Sequence, residues 1–154
     1  MALEFNTIGV KLKYCVAAST DNARPTSGYT QIPDIKNTPA IDINPNKLEV
    51  TNLEDQYRRY VDGVKDVGDS FDFTANLTSD LKTKWASCVT AAASAWASGK
   101  KTFFEIAIPN FDSFYFSGIP TELGVNEMGV DAVIESTLHI VPNSIEGWAS
   151  ASTT

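Results

Sequence analysis

The residues able to do chemistry are few and scattered. His139 is the single histidine, set in "VIESTLHIV" with no second histidine and no cysteine cluster near it in sequence. Metal sites need several such ligands at close spacing, so no metal is expected. A general base also needs a nucleophile in a recognisable setting, and neither a GxSxG elbow nor an equivalent serine or cysteine turn occurs. Cys15 and Cys88 lie far apart in apolar stretches without CxxC spacing. They read as reduced thiols lining a core, with a disulfide as the lesser alternative. The phosphate-cradling patterns GxGxxG and GxxxxGK[ST] are absent. The adjacent Glu54 and Asp55 read as a solvated pair on an acid-rich surface rather than an acid/base dyad. No catalytic residue, metal or cofactor is expected, and the chain does not read as an enzyme.

Charge narrows the partners. In 154 residues, 12 basic and 19 acidic side chains give a net charge of −7. That balance disfavours surfaces that cling to DNA phosphates or anionic lipid. No apolar run approaches the roughly 20 residues that cross a bilayer, and "MALEFNTIGVKLKYC" lacks the zones of a signal peptide. A protein made and first present in the cytoplasm, without a membrane partner, is the expectation. The length suits one domain spanning 1–154.

The elements around these residues are mostly strands. Phe71, Phe73, Ala75 and Leu77 alternate with Asp72, Thr74 and Asn76, the period of a strand with one buried face. Ala132, Ile134, Leu138 and Ile140 share one parity and Asp131, Glu135, Thr137 and His139 the other, predicting a second long strand. "TFFEIAIP" and "SFYFSGIP" flank a turn and read as neighbouring strands or a hairpin in a mainly antiparallel sheet. On these strands the apolar parity, with Phe71, Phe73, Ile106, Ile108, Ile134 and Leu138, is expected inward, leaving Asp72, Glu105 and Glu135 on the opposite face.

One helix is expected over about 79–98, capped by Thr78 or Ser79 and stopped at Gly99. Leu81, Trp85, Cys88, Val89, Ala92 and Trp96 would form its apolar stripe against the sheet. Four of the seven prolines (Pro25, Pro33, Pro39 and Pro45) punctuate a long connection over about 20–60. Connections of that length usually do something, and alternation through "AIDINPNKLEVTNL" suggests an extended arm that orders against a neighbour. The small-residue end, about 147–154, is expected to fray. A single helix capping a sheet makes the fold class mainly β (α+β).

Between that arm and the first strong strand lies "TNLEDQYRRYVDGVKDVGDSFDFTANL", residues 51–77, where Glu54, Asp55, Asp62, Asp66, Asp69 and Asp72 stand against Arg58, Arg59 and Lys65. Together with "IGVKLKY" and "YTQIPDIKNTPAIDINPNKLEV", this stretch resembles the tail tube (major tail) proteins of long-tailed, siphovirus-like bacteriophages. Tyr60, Val61, Gly63, Val64, Lys65, Asp66 and Gly68 fill the step into a strand that those chains carry, and the resemblance covers about residues 6–77.

The resemblance implies a β-sandwich or barrel-like tail tube domain with one flanking helix and a long extended loop, in a structural virion protein, assembled in the host cytoplasm, whose hexameric rings stack into a tail tube that conducts DNA during ejection. Its partners would be further copies of itself, a tape measure protein and other tail proteins. DNA would pass without specific binding. Arg58, Arg59, Lys65, Asp62 and Asp66 would then lie at subunit contacts, where charge sets register more than affinity. Asp72, Glu105 and Glu135 would face the lumen. Two alternatives share the strand pattern: a soluble β-sandwich binding module, and a related tail terminator or type VI secretion tube protein.

Overall fold

The computed structural model describes residues 9–41, 44–54, 56–66 and 70–152. Among these, alternation sets the strands as expected. In β6 (Phe71–Asn76), Phe71, Phe73 and Ala75 are buried while Asp72 and Asn76 are exposed. β6 pairs antiparallel with β9 (Glu135–Ala149), Phe71 opposite Ile140 and Phe73 opposite Leu138.

β9 begins later than alternation predicts and runs further. Ala132 and Ile134, expected in the strand, lie exposed in the loop before it. The reason is the partner: β6 ends at Asn76, opposite Glu135, and beyond one further bond, from the Leu77 N–H to the Ile134 carbonyl at 2.9 Å, the chain turns into α1 and the ladder stops. Beyond Ile140, β9 changes neighbours and pairs with β8 (Ser113–Pro120) as far as Ala149 opposite Ser113. The end expected to fray is thus strand through Ala149, and Ser150 and Ser152 are tied down by side chains of the sheet. Gly118 sits at a register shift in this ladder, and a Cβ there would meet Ile140 Cγ2 at 2.6 Å and the Val141 carbonyl oxygen at 2.7 Å.

With β1 (Lys11–Val16), β2 (Thr30–Ile32), β3 (Ile35–Asn37) and β7 (Thr102–Ala107), these strands form one seven-stranded antiparallel sheet in the order β2-β1-β7-β8-β9-β6-β3. Its two edges are β2 and β3, yet only Pro33 and Asp34 separate them in the chain. Six strand spacings would put the edges of a flat sheet about 29 Å apart. Three peptide steps reach about 10 Å. The sheet therefore rolls until its edges meet, a near-closed barrel. Asp34 fastens the seam from a left-handed conformation (φ 63°): its carbonyl accepts the Asn76 N–H at 3.0 Å and its carboxylate the Thr78 hydroxyl at 2.6 Å. The connection over 20–60 is accordingly not one loop, because it holds β2, β3 and β4 (Asn44–Glu49).

Thr78 also caps α1 (Ser79–Ala97), accepting the Leu81 N–H at 3.1 Å, and Gly99 turns the chain out at φ 77°. The buried stripe is Leu81, Trp85, Cys88, Ala92 and Ala95. Trp96, expected on it, is 59% exposed, because steps of four, three, four and three residues end on Ala95 and put Trp96 about 100° further round. Stripe and sheet share one core, in which Phe116 stacks on Phe104 at 5.4 Å and meets Phe71 edge-on at 5.1 Å. Trp85 satisfies its indole N–H on the Thr121 carbonyl at 2.8 Å.

Candidate assembly surfaces

The groups with intrinsic reactivity do not converge. Burial pushes the Cys88 thiol up to about 12, and Cys15 is half-buried, its pKa also raised by burial. His139 faces outward on β9 with Nδ1 2.5 Å from Asp72 Oδ1. Among the described residues, no three His, Cys, Asp or Glu side chains gather as metal ligands, and no helix is long and apolar enough to cross a membrane.

One element stands apart from the barrel. β4 pairs with β5 (Tyr60–Asp66) as a separate two-stranded sheet, with Lys47 opposite Asp62, Leu48 opposite Val61 and Glu49 opposite Tyr60. Its local bonds hold the turn: Val50 N–H donates to the Arg59 carbonyl at 2.9 Å, Arg59 N–H to the Thr51 hydroxyl at 2.8 Å, and Glu54 N–H to Asn52 Oδ1 at 2.9 Å. Leu48 and Val61 are nonetheless exposed, Tyr57 is 82% exposed and Leu53 fully so. A lone hairpin is at best marginally stable in water, so this apolar display asks for a second surface. Arg58 reaches Glu49 of the same hairpin only at 3.9 Å, with both side chains largely in solvent. The side chains of Asp62, Lys65 and Asp66 lie outside the described residues, as do Asp55 and Asp69.

The three acids expected on one face divide. Asp72 and Glu135 lie on the outward parity of the β6–β9 pair, and neither is bare. Asp72 accepts from the Ser70 hydroxyl at 2.7 Å and lies against His139, and these two hydrogen bonds hold its pKa below the usual value. Glu135 is bridged by Lys36 of β3 at 2.6 Å.

Glu105 is the correction: it is fully buried. Its face of β7 is covered by the segment before β2, where Tyr29 packs on Tyr115 at 5.9 Å and Arg24 lies 4.1 Å over the Tyr115 ring. The chain end completes the cover. Glu105 Oε1 accepts the Ser152 hydroxyl at 2.6 Å, and Oε2 accepts the Ser152 N–H at 2.9 Å and the Tyr115 hydroxyl at 2.9 Å. Burial raises its pKa, but the bonds led by those from Ser152, with Tyr115 adding to them, outweigh it, so the carboxyl rests below its ordinary value. Alternation alone sends a glutamate to water; three converging donors keep this one inside.

No protein-family model matches the chain, and no curated protein does. Solved structures do match over nearly the whole length. A chain in the tail of an empty gene transfer agent particle with C6 symmetry superposes with a TM-score of 0.58 at 17% identity, covering 95% of this chain and 100% of that one. A chain of the native gene transfer agent virion gives 0.58 at 15% identity, covering 96% and 100%. A chain of the anti-feeding prophage baseplate, 6-fold symmetrised, gives 0.54 at 8% identity, covering 99% and 100%. The near-closed barrel with one helix is therefore the tail-tube-like fold.

Proposed function

We propose that this chain is a structural subunit of a phage-type tail, built as stacked hexameric rings that form the tail tube of a long-tailed, siphovirus-like particle. The observation that carries the reading is the end-to-end match to a chain from a C6-symmetric tail. The unsupported β4–β5 hairpin adds to it, because exposed Leu53 and Tyr57 give each copy an anchor for a neighbour. Closure into a ring is the usual outcome of such head-to-tail contacts when the rotation closes. Arg58, Arg59, Lys65, Asp62 and Asp66 belong to this contact element, and Asp72 and Glu135 are the acids available to a lumen wall.

In this reading the tube works by not holding DNA. Each phosphate neutralised by a cationic wall releases counterions and gains affinity, so a long molecule would stall. A wall at low or negative charge lets it pass. The subunit would be made in the host cytoplasm, meet a tape measure protein and other tail proteins during assembly, and reside in the virion. Sedimentation velocity on the purified chain tests this reading. Species heavier than a dimer, growing with concentration, are expected; a monomer at every concentration would refute it.

A further inference from the structure

The loop joining β8 to β9 runs from Thr121 to Ile134 without helix or strand. Loops of that length inside a compact domain usually have a job. This one displays Val125, Met128, Val130 and Val133 to solvent, Val130 at 93% exposure. Its charges are Glu122, Glu127 and Asp131, with no lysine or arginine. An exposed apolar stretch rimmed by charge of one sign marks a contact for a surface of the other sign.

Basic surface is scarce on a chain of net charge −7. Arg24 is stacked on Tyr115, Lys36 is paired with Glu135, and Arg58 faces Glu49. The outer face of α1 carries two of the remaining lysines. Lys82 and Lys84 are exposed on its two edges, about 160° apart round the axis, and neither makes an ion pair among the described residues, Asp80 being the one acid on the helix. Ser79, Thr83, Ala86 and Ser87 leave a shallow groove beside Lys82, on the side opposite the buried stripe. Small side chains let another backbone approach closely. The loop itself starts at one flank of the helix, where Trp85 binds the Thr121 carbonyl and Glu122 to Val125 line a cavity with Lys82 and Ala86, while Ser79, Thr83 and Ser87 lie beyond that cavity.

We propose that the 121–134 loop of one copy packs on the outer face of α1 in a second copy, its apolar residues in the groove and Glu127 and Asp131 against Lys82 and Lys84. The contact rests on the self-assembly reading and gives it a second interface, independent of the β4–β5 hairpin.

The test mixes two single variants, Met128→Cys and Ser87→Cys, under mild oxidation, with each variant alone and the unsubstituted chain as controls. A covalent dimer specific to the mixture is expected. In parallel, Lys82→Glu with Lys84→Glu should raise the concentration for half-assembly by roughly tenfold, and Glu127→Lys with Asp131→Lys in the same chain should restore it. Assembly without the mixed cross-link, and without rescue by the charge exchange, would overturn this contact and leave the assembly reading standing. An unsubstituted chain that never self-associates would overturn both.

Discussion

The Tyr115 hydroxyl lies 2.9 Å from the Glu105 carboxylate and 2.7 Å from the Ser150 carbonyl, so one side chain joins the middle of β7 to the end of the described chain. Glu105 has a lowered pKa in the folded protein. Its contribution to stability is therefore complete above the unfolded glutamate value of about 4.3 and is lost as pH falls through the folded value. Glu105→Gln should cost roughly 1.5 to 3 kcal/mol at pH 7, the range for hydrogen bonds to a charged group. Urea unfolding as a function of pH should show the gap to wild type narrowing once pH drops below about 4.3. A gap independent of pH would mean that the carboxylate charge contributes nothing.

Removing the β4–β5 hairpin separates folding from assembly. The cut must spare β3, which pairs with β6, so a short Gly/Ser linker should replace residues 42–69 and leave Ile35–Asn37 in place. The expected product keeps the melting behaviour of a folded barrel and, by size exclusion, needs a much higher concentration to assemble than the full chain. A shortened chain that assembles as readily as the full chain would show that the hairpin is not the contact.

Reversing Arg58 and Arg59 to Glu should weaken assembly with little change in monomer melting. The ion pair of Arg58 with Glu49, at 3.9 Å, is solvent-exposed and of the class that contributes about 0 to 1 kcal/mol. Repetition of each contact around and along a tube amplifies small terms. A large loss of monomer stability would assign the arginines an internal role instead.

The two helix tryptophans should behave oppositely. Trp85 is buried and hydrogen-bonded to Thr121, so Trp85→Ala should cost about 3 to 5 kcal/mol by denaturant unfolding. Trp96 is exposed, and Trp96→Ala should fall within about 0.5 kcal/mol. Equal losses would restore Trp96 to the packed stripe.

Asp72→Lys with Glu135→Lys tests the lumen assignment. Each acid sits on the outward face with a basic partner, so folding should survive at the small cost of two exposed pairs. Tail particles carrying both changes should retain tubes and deliver DNA poorly. Normal delivery would remove these residues from the lumen, and loss of tubes would move them to an interface.

Much of this architecture was legible because period and caps are local. Phe71, Phe73 and Ala75 announced their buried face, and Thr78 and Gly99 marked the helix ends. What escaped was non-local. Nothing adjacent to Glu105 in sequence reveals that Ser152 and Tyr115 will supply its donors. Ala132 and Ile134 keep the right parity for a strand, but β6 stops at Asn76 and, past the one bond from Leu77 to Ile134, the ladder ends. In sequence Pro33 only punctuates a long connection, and it is the strand order that makes Pro33 and Asp34 the seam of a barrel. The acidic face was half visible: Asp72 and Glu135 followed alternation, while their partners His139 and Lys36 lie 67 and 99 residues away.

The central claim is that this chain closes into six-membered rings and stacks them, and electron microscopy of the purified protein tests it most directly. The account predicts end-on views with six-fold symmetry and side views of tubes at regular axial repeat. Fields of single monomers, or rings without six-fold symmetry, would contradict it.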